Sequence, residues 1–379
     1  MFLAIIGGLH YYVWARLVRD PALPGAWGRA LTALLIGLAL ALPLSLIASR
    51  LFPFARLRPL YFFAFAWMGV GFLLSTFLFA ADAGRLLAFA TAWIAARFSG
   101  KGPLEDPSRR LFVARAIASG VSLGTFALTA VGLRAALGTV KVNELDIKVR
   151  NLPEDLTGLK IAHISDLHIG PLLRKEWLAG VVAEIGLLAP DLIVITGDLV
   201  DGTVAELAEQ VAPLSQLRAP RGVFFVTGNH EYYSGVDAWL SHLPQLGIRP
   251  LRNERLEVAP GLDLAGIDDL SATGPGHGPD LARALAGRDP NRPVILLAHQ
   301  PRQFIEAAQQ GVDLTLSGHT HGGQIWPFSF VVGLAQPYLA GLHWRGQSQI
   351  FVSRGTGFWG PPLRVFAPAE IALLRLRPA

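Results

Sequence analysis

Between residues 1 and 140 the chain runs in long apolar blocks separated by arginine-rich breaks. The blocks cover about 1–18, 30–49, 60–81 and 111–137. A membrane-crossing helix needs about 20 apolar residues. The second and third blocks meet that length well, the fourth meets it with Arg115 and Arg134 near its ends, and the first meets it marginally. The pattern predicts a transmembrane region over 1–139 with four helices, with three as the alternative. The helical pattern of the third block continues to Phe98 as an amphipathic extension. The first block has neither a basic leader nor a small-residue cleavage site, which argues against a cleaved signal peptide.

From Val140 the texture changes. Val142 to Val149 alternates like a half-buried strand. Short apolar runs at 159–164, 192–196, 222–227, 294–298 and 314–317 read as buried strands. Helical spacing separates several of them, at Trp177 to Leu188, Ala205 to Leu217 and Phe304 to Gln310. Strands alternating with helices predict an α/β domain over 140–379. The chain shows no internal repeat or low-complexity stretch.

Composition supports this division. Hydrophobic residues make up 52% and charged residues 16%, against about 25% charged in soluble domains, and the deficit falls in the first 140 residues. A net charge of +5 does not carry a nucleic-acid reading. Many arginines flank apolar blocks (Arg50, Arg56, Arg58, Arg97, Arg109, Arg110, Arg115), where membrane proteins place them, and no common nucleic-acid-binding motif is present. With four helices, the loops holding Arg16, Arg19, Arg29, Arg97, Lys101, Arg109, Arg110 and Arg115 share one side. The other side holds Arg50, Arg56, Arg58, Arg134 and Lys141. Eight against five assigns the richer side to the cytoplasm. The catalytic domain is then extracytoplasmic, on a bacterial inner membrane. Three helices would break this argument. There is no cysteine, so any metal must be held by His, Asp, Glu or Asn.

Each of the five short apolar runs is followed by a polar cluster: Asp166-Leu167-His168, Gly197-Asp198, Gly228-Asn229-His230, His299, and Gly318-His319-Thr320-His321. Open α/β sheets bind ligands beyond the carboxyl ends of their strands, so five strand ends predict one crevice. Its oxygen and imidazole groups suit Mn, Fe, Zn or Mg. In the two His-containing triplets the ligands are two residues apart, so a short extended segment aims both to one side. The glycines at 197, 228 and 318 are read as points where the backbone bends tightly. Taken singly, an Asp-x-His, Gly-Asp or His-x-His is mostly structural, and a Gly-Asn-His is often a turn. Five of them in order at strand ends are not explained that way.

These motifs, with Asp201, Glu231 and the run Gly318-His319-Thr320-His321-Gly322-Gly323-Gln324, resemble the calcineurin-like metallophosphoesterases. The last run is most similar to their membrane-associated bacterial branch. The resemblance covers roughly 155–375 and implies a β-sandwich flanked by helices, following an all-α transmembrane bundle. It implies one metal on Asp166, His168 and His321, and a second on Asn229, His299 and His319. Asp198 would bridge the two, and His230 would stand near the leaving-group oxygen as the catalytic proton donor or transition-state stabiliser. Two divalent cations neutralise a phosphate and lower the pKa of bound water. Many members have Asp after Gly-Asn-His where this chain has Glu231, which puts the packing behind the site in question.

Other residues were set apart from this group. His163 is expected in the core or behind the ligands. His10, His242, His277 and His343 are read as structural or exposed. Asp201 is read as orienting its loop, and Asp268 and Asp269 could face the crevice. Trp326, Phe328, Phe330, Phe358 and Trp359 read as core, with a lipid-touching lip as the sharper alternative. Arg354 reads either as a phosphate clamp or as an ordinary surface residue.

The expected function is a membrane-anchored phosphohydrolase acting on a phosphodiester or diphosphate in a lipid-linked substrate, with the bilayer as partner. One alternative is a UDP-diacylglucosamine-type pyrophosphatase of lipid A synthesis, which wants a cytoplasmic site. Another is a transporter or sensor with a regulatory phosphoesterase domain. The spans hold few ionisable residues, chiefly Asp82, which argues against a proton-driven pathway. Oligomeric state is not legible.

Overall fold

The structure, a computed structural model, describes residues 2–48, 51–52, 54–99, 106–272, 274 and 276–379. Met1, Ser49, Arg50 and Lys101, all used above, lie outside the described residues. The chain divides into two compact units, Met1–Leu133 with Gly360–Leu363, and Arg134–Trp359 with Arg364–Ala379.

The first unit is helical, with α1 (Phe2–Trp14), α2 (Gly25–Ala48), α3 (Phe54–Ser99) and α4 (Pro107–Leu137). Among the described residues, three helices are long and apolar enough to cross a membrane: Gly25–Ser45 within α2, Arg56–Phe98 within α3, and Pro107–Leu137. A helix occupies each of the four apolar blocks, with other bounds than the blocks had, but α1 has only 13 residues before a π-helical turn at Ala15–Arg19. At 1.5 Å per residue, 13 residues reach about 20 Å, short of the ~30 Å hydrocarbon layer. The helical extension after the third block is present, since α3 runs unbroken for 46 residues to Ser99. Asp82 on α3 is paired, accepting from Arg16 Nε at 2.9 Å and from the Tyr12 hydroxyl at 2.7 Å.

The second unit opens with β1 (Lys141–Val149), β2 (Lys160–Ile164), α5 (Lys175–Leu188), β3 (Leu192–Thr196), α6 (Val204–Val211), β4 (Val223–Val226), α7 (Asn229–Tyr233), α8 (Val236–His242) and β5 (Arg249–Pro250). It continues through β6 (Glu254–Ala259), β7 (Leu262–Gly266), α9 (Leu281–Leu285), β8 (Val294–Leu297), α10 (Phe304–Gln309) and β9 (Leu314–Ser317). It closes with α11 (Phe328–Ala335), β10 (Gly341–Arg345), β11 (Ser348–Val352) and β12 (Glu370–Pro378). All five predicted strands that precede a polar cluster form, as β2, β3, β4, β8 and β9. The helix expected to reach Leu217 stops at Val211 and tightens to a 3-10 turn over Ala212–Gln216, where Pro213 has no N–H to continue it.

Two six-stranded sheets result, ordered β1-β12-β2-β3-β4-β5 and β10-β11-β9-β8-β7-β6. Their inner faces share one apolar core, in which Ile161, Val194, Phe224 and Leu374 meet Leu264, Leu297, Leu316 and Phe351. Helices cover both outer faces: α5, α6 and α8 pack over Ile164, Ile193 and Phe225, while α9 and α10 pack over Ala265, Leu296 and Ile350. This is the sandwich flanked by helices that the resemblance implied. Within each sheet the central strands are parallel, β2-β3-β4 and β7-β8-β9, so their carboxyl ends lie on one edge.

Candidate metal centre

All eight residues singled out from the sequence meet at these carboxyl ends. Asp166, His168, Asp198, Asn229 and His230 follow strands of the first sheet, and His299, His319 and His321 follow strands of the second. The crevice is therefore a seam between two sheets. Five of the eight residues sit in the left-handed region of backbone space: Asp166 (φ 54°), His168 (47°), Asp198 (51°), His319 (69°) and His321 (51°). Each such residue costs of order 1–3 kcal/mol and persists only where its surroundings hold it. Here the reversal turns the side chain inward as the strand ends.

The glycines have two different reasons. Gly197 has φ 81°, as expected for a tight bend. Gly228 and Gly318 are not in that region. A Cβ at Gly228 would strike Asp198 Oδ1, and one at Gly318 would strike Ser165 Oγ and Asp166 Oδ2. The bending read at these two positions is corrected to close approach, because the carboxylates occupy the space a side chain would need.

Among the described residues, three groups of side chains converge closely enough to hold a cation: Asp166, His168 and His321; His168, Asp198 and His230; and Asp198, His299 and His319. The Nε2 atoms of His168 and His321 face each other at 3.1 Å, a distance that requires a proton or a cation between them. Asp166 Oδ1 lies 3.4 Å from His321 Nε2. Asp198 Oδ2 is 3.2 Å from His299 Nε2, 3.9 Å from His168 Nε2 and 4.0 Å from His230 Nε2, and Asn229 Oδ1 is 3.3 Å from His299 Nε2. The far ring nitrogens are committed elsewhere. His299 Nδ1 donates to the Thr196 carbonyl at 2.7 Å. Asp201 Oδ1 accepts from Nδ1 of both His168 and His230, at 2.9 and 2.7 Å. Each of these three rings thus turns Nε2 toward the crevice, as metal-binding histidines do. The donor set and its geometry fit divalent metal ions.

The charges are strongly interdependent. Burial opposes the charged form of His168, but Asp201 and Asp198 outweigh it and hold the ring up at about 9. Asp201 is held down at about 2 against its own burial by His168 and His230. Burial would raise the Asp198 carboxyl, yet His299 draws it well below its usual range, and His299 rises in return. Burial and the charge on His299 push His319 down to about 3. Two rings therefore carry protons that a cation would displace.

Three supporting residues stand behind the site. Glu231 is buried and accepts from the amides of Gly228 (2.7 Å), Leu199 (2.8 Å) and Asp198 (3.0 Å), so it staples two of the ligand loops together. Burial and the nearby Asp198 raise it to about 7. Asp201 does more than orient its loop, since it fixes two rings. Arg364 was not singled out from the sequence. It is 1% exposed and donates to the carbonyls of His321, Arg354, Gly355, Gly357 and Ala367 and to His321 Nδ1. The loop it holds packs on the first ligand segment through Thr356 N to Ser165 O (2.8 Å) and Gly357 N to Asp166 O (2.9 Å). Its only sequence signal was a lone charge between Leu363 and Val365, both buried.

The remaining residues sort cleanly. His163 is buried and bonded to Thr196 Oγ1 at 2.7 Å, and burial pushes it down to about 3. Asp268 pairs with Arg252, while Asp269 accepts from Gln300 Nε2 at 3.0 Å. Arg354 Nη1 is paired with Glu370 at 3.1 Å. Phe358 is core. Trp359 and Tyr233 are 53% and 72% exposed and flank the His230 ring at 6.1 and 5.4 Å. An open groove of about 700 Å³ between α10 and α11 is lined by none of the eight site residues.

A family model described as calcineurin-like phosphoesterase matches residues 159–323. An uncharacterized metallophosphoesterase of Helicobacter pylori is 41% identical over 275 residues, covering 72% of this chain and 73% of that protein. A Bos taurus protein described as a transmembrane protein with metallophosphoesterase domain is 40% identical over 304 residues, covering 76% and 67%. Among solved structures, the NAD nucleotidase of Haemophilus influenzae aligns with a TM-score of 0.36 at 20% identity, covering 52% of this chain and 45% of that one. With 41% identity across 73% of one such relative, and a family model matching the segment that carries every candidate ligand, this chain belongs to the calcineurin-like metallophosphoesterases, which are metal-dependent hydrolases.

Proposed function

We propose that this chain is a membrane-anchored, dinuclear-metal phosphohydrolase that cleaves a phosphodiester or diphosphate bond in a lipid-linked substrate. The observation that carries the reading is a pair of ligand groups with no member in common, Asp166–His168–His321 and Asp198–His299–His319. Asp198 Oδ2 reaches toward both. In this reading the first group holds one ion, and His299, His319 and Asn229 hold the other, with Asp198 shared. The bound ions supply charge neutralisation and an activated water.

The chain's own residues do the rest. Asp201 holds His230 by Nδ1 and leaves Nε2 directed into the crevice, where it can give a proton to a leaving oxygen. His230 is the most accessible of the rings in these bonded pairs, with 17% of its side chain exposed, as a group meeting substrate must be. Glu231 and Arg364 keep the ligand loops at fixed separation. Three membrane-length helices and the exposed rim of Trp359 and Tyr233 beside His230 support a lipid-linked substrate. The extracytoplasmic placement rests on the eight-against-five bias, and it requires α1 with its π-helical continuation to cross as well.

The test uses Asp198→Asn and Asn229→Ala in the full chain. Substrates are a soluble diester, a phospholipid, a polyprenyl diphosphate and a nucleotide-linked diacyl sugar, with Mn, Mg or Zn added. Both variants should lose most hydrolysis and stay folded. Full activity in either would sink the metal assignment, and turnover of the soluble diester alone by the parent would remove the lipid-linked substrate.

A further inference from the structure

We infer that α11 is an interfacial anchor that seats the catalytic unit on the bilayer surface and ties the His319–His321 ligand loop to it. The helix reads Phe-Ser-Phe-Val-Val-Gly-Leu-Ala, carries no charge, and has no buried residue. Leu334 is 90% exposed, Phe330 69% and Val331 54%. Phe366, 76% exposed, extends the patch, with its ring centroid 6.2 Å from that of Trp326. A contiguous apolar surface of this kind marks an interaction site.

Several features favour lipid as the occupant. The same chain has three helices able to cross a membrane, and only residues 138–140 link α4 to β1. The helix offers no charged side chain for a protein partner to pair with. Its terminal backbone groups are largely closed, as a lipid setting demands. Arg302 Nη2 donates to the Ala335 carbonyl at 2.6 Å, Gln336 N to Val332 O at 2.8 Å, and Phe330 N to Pro327 O at 3.0 Å. A long side chain such as Arg302 can keep its charge at headgroup level beside an apolar layer.

The anchor is also joined to the site. Gly323, two residues after His321, has no room for a Cβ because the Ser329 backbone of α11 lies directly against it. Movement of the helix is therefore passed to the ligand loop. The inference rests on the membrane anchoring proposed above, and not on the substrate being lipid-linked.

The absence of cysteine makes site-specific labelling direct. Nitroxide would be placed at Phe330→Cys, Leu334→Cys and, as a control on α5, Leu187→Cys, which is 80% exposed. The full chain is studied in phosphatidylcholine nanodiscs. The ratio of oxygen to nickel-chelate collision rates should be several-fold higher at 330 and 334 than at 187. Equal, water-like ratios at all three positions would overturn the anchor, and so would spin–spin broadening that places a second copy on the helix. Hydrolysis of a soluble diester is followed in the same samples. Depth at 330 and 334 would keep the anchor whether or not the diester is cleaved, while hydrolysis without depth would remove the anchor alone.

Discussion

Asp201 offers the sharpest quantitative test of the site, because one oxygen serves two rings that have different roles in the proposed mechanism. Its Oδ1 accepts from His168 Nδ1 at 2.9 Å and from His230 Nδ1 at 2.7 Å. Hydrogen bonds to a charged group contribute about 1.5–3 kcal/mol and neutral ones about 0.5–1.5. Asp201→Asn keeps an oxygen in place but removes the charge, which costs about 1 kcal/mol per bond. The pair then loses about 2 kcal/mol, or roughly 30-fold. Asp201→Ala removes both bonds and frees both rings to turn. With 26% of the Asp201 side chain exposed, water replaces part of the loss. The lower end of the range, about 3 kcal/mol or somewhat over 100-fold, is therefore the expected cost. The assays are manganese titration calorimetry, which reports on His168, and kcat/KM on a soluble diester, which reports on both rings. A thermal melt checks that each variant is still folded at the assay temperature, with the Asp201 amide still bonded to the Ile169 carbonyl; a drop of several degrees is expected from the lost bonds. If Asp201→Ala stayed within about threefold of the parent in both assays, roughly 0.7 kcal/mol, the two-ring role would be refuted.

Gly318→Ala should destabilise the catalytic unit by about 1–3 kcal/mol and strip metal, because its Cβ meets Ser165 Oγ and Asp166 Oδ2. Gly180→Ala on α5, where nothing lies within 4 Å, should stabilise by about 0.5–1 kcal/mol. Paired thermal melts with metal analysis check both. Metal affinity should rise with pH from neutrality toward about 9, the value at which His168 is held, and fall as pH drops. A ring raised above its ordinary value is protonated at neutral pH, and the ion must displace that proton. Calorimetry in buffers of different ionisation enthalpy would show the released proton, and a pH-independent affinity would contradict the assignment. Arg364→Met should cost at least about 3 kcal/mol, since several buried carbonyls lose their donor at once. Arg364→Lys should recover only part of this, because an ammonium cannot reproduce the planar fork. Denaturant melts, repeated with added guanidinium ion to test for rescue, distinguish the two.

The candidate ligands were legible because metal chemistry restricts residue type and strand ends restrict position. A run such as Leu192–Thr196 followed by Gly-Asp announces both. The fold around them was legible only where neighbours in sequence are also neighbours in space. β12, the last strand, enters the first sheet between β1 and β2, and nothing local in residues 370–378 specifies a partner some two hundred residues away. The glycines show the same limit at smaller scale. Position 197 needs glycine for its own backbone, whereas positions 228 and 318 need it for a carboxylate arriving from another strand. Sequence alone presents these as one signal.

The supporting residues were the hardest to read for a related reason. Glu231, at one end of the chemistry, bonds three backbone amides, and Arg364, at the other, bonds five backbone carbonyls. Every sequence supplies amides and carbonyls, so no pairing of residue types betrays the contact. A carboxylate answered by an arginine leaves two marks in a sequence. A charge answered by backbone leaves one, and that one looks like any isolated charge until the loops around it are in place. The residues that hold such a site rigid are therefore to be sought where a buried charge is bonded mainly by backbone, as with Arg364, and their removal should loosen the ligand loops without deleting a ligand.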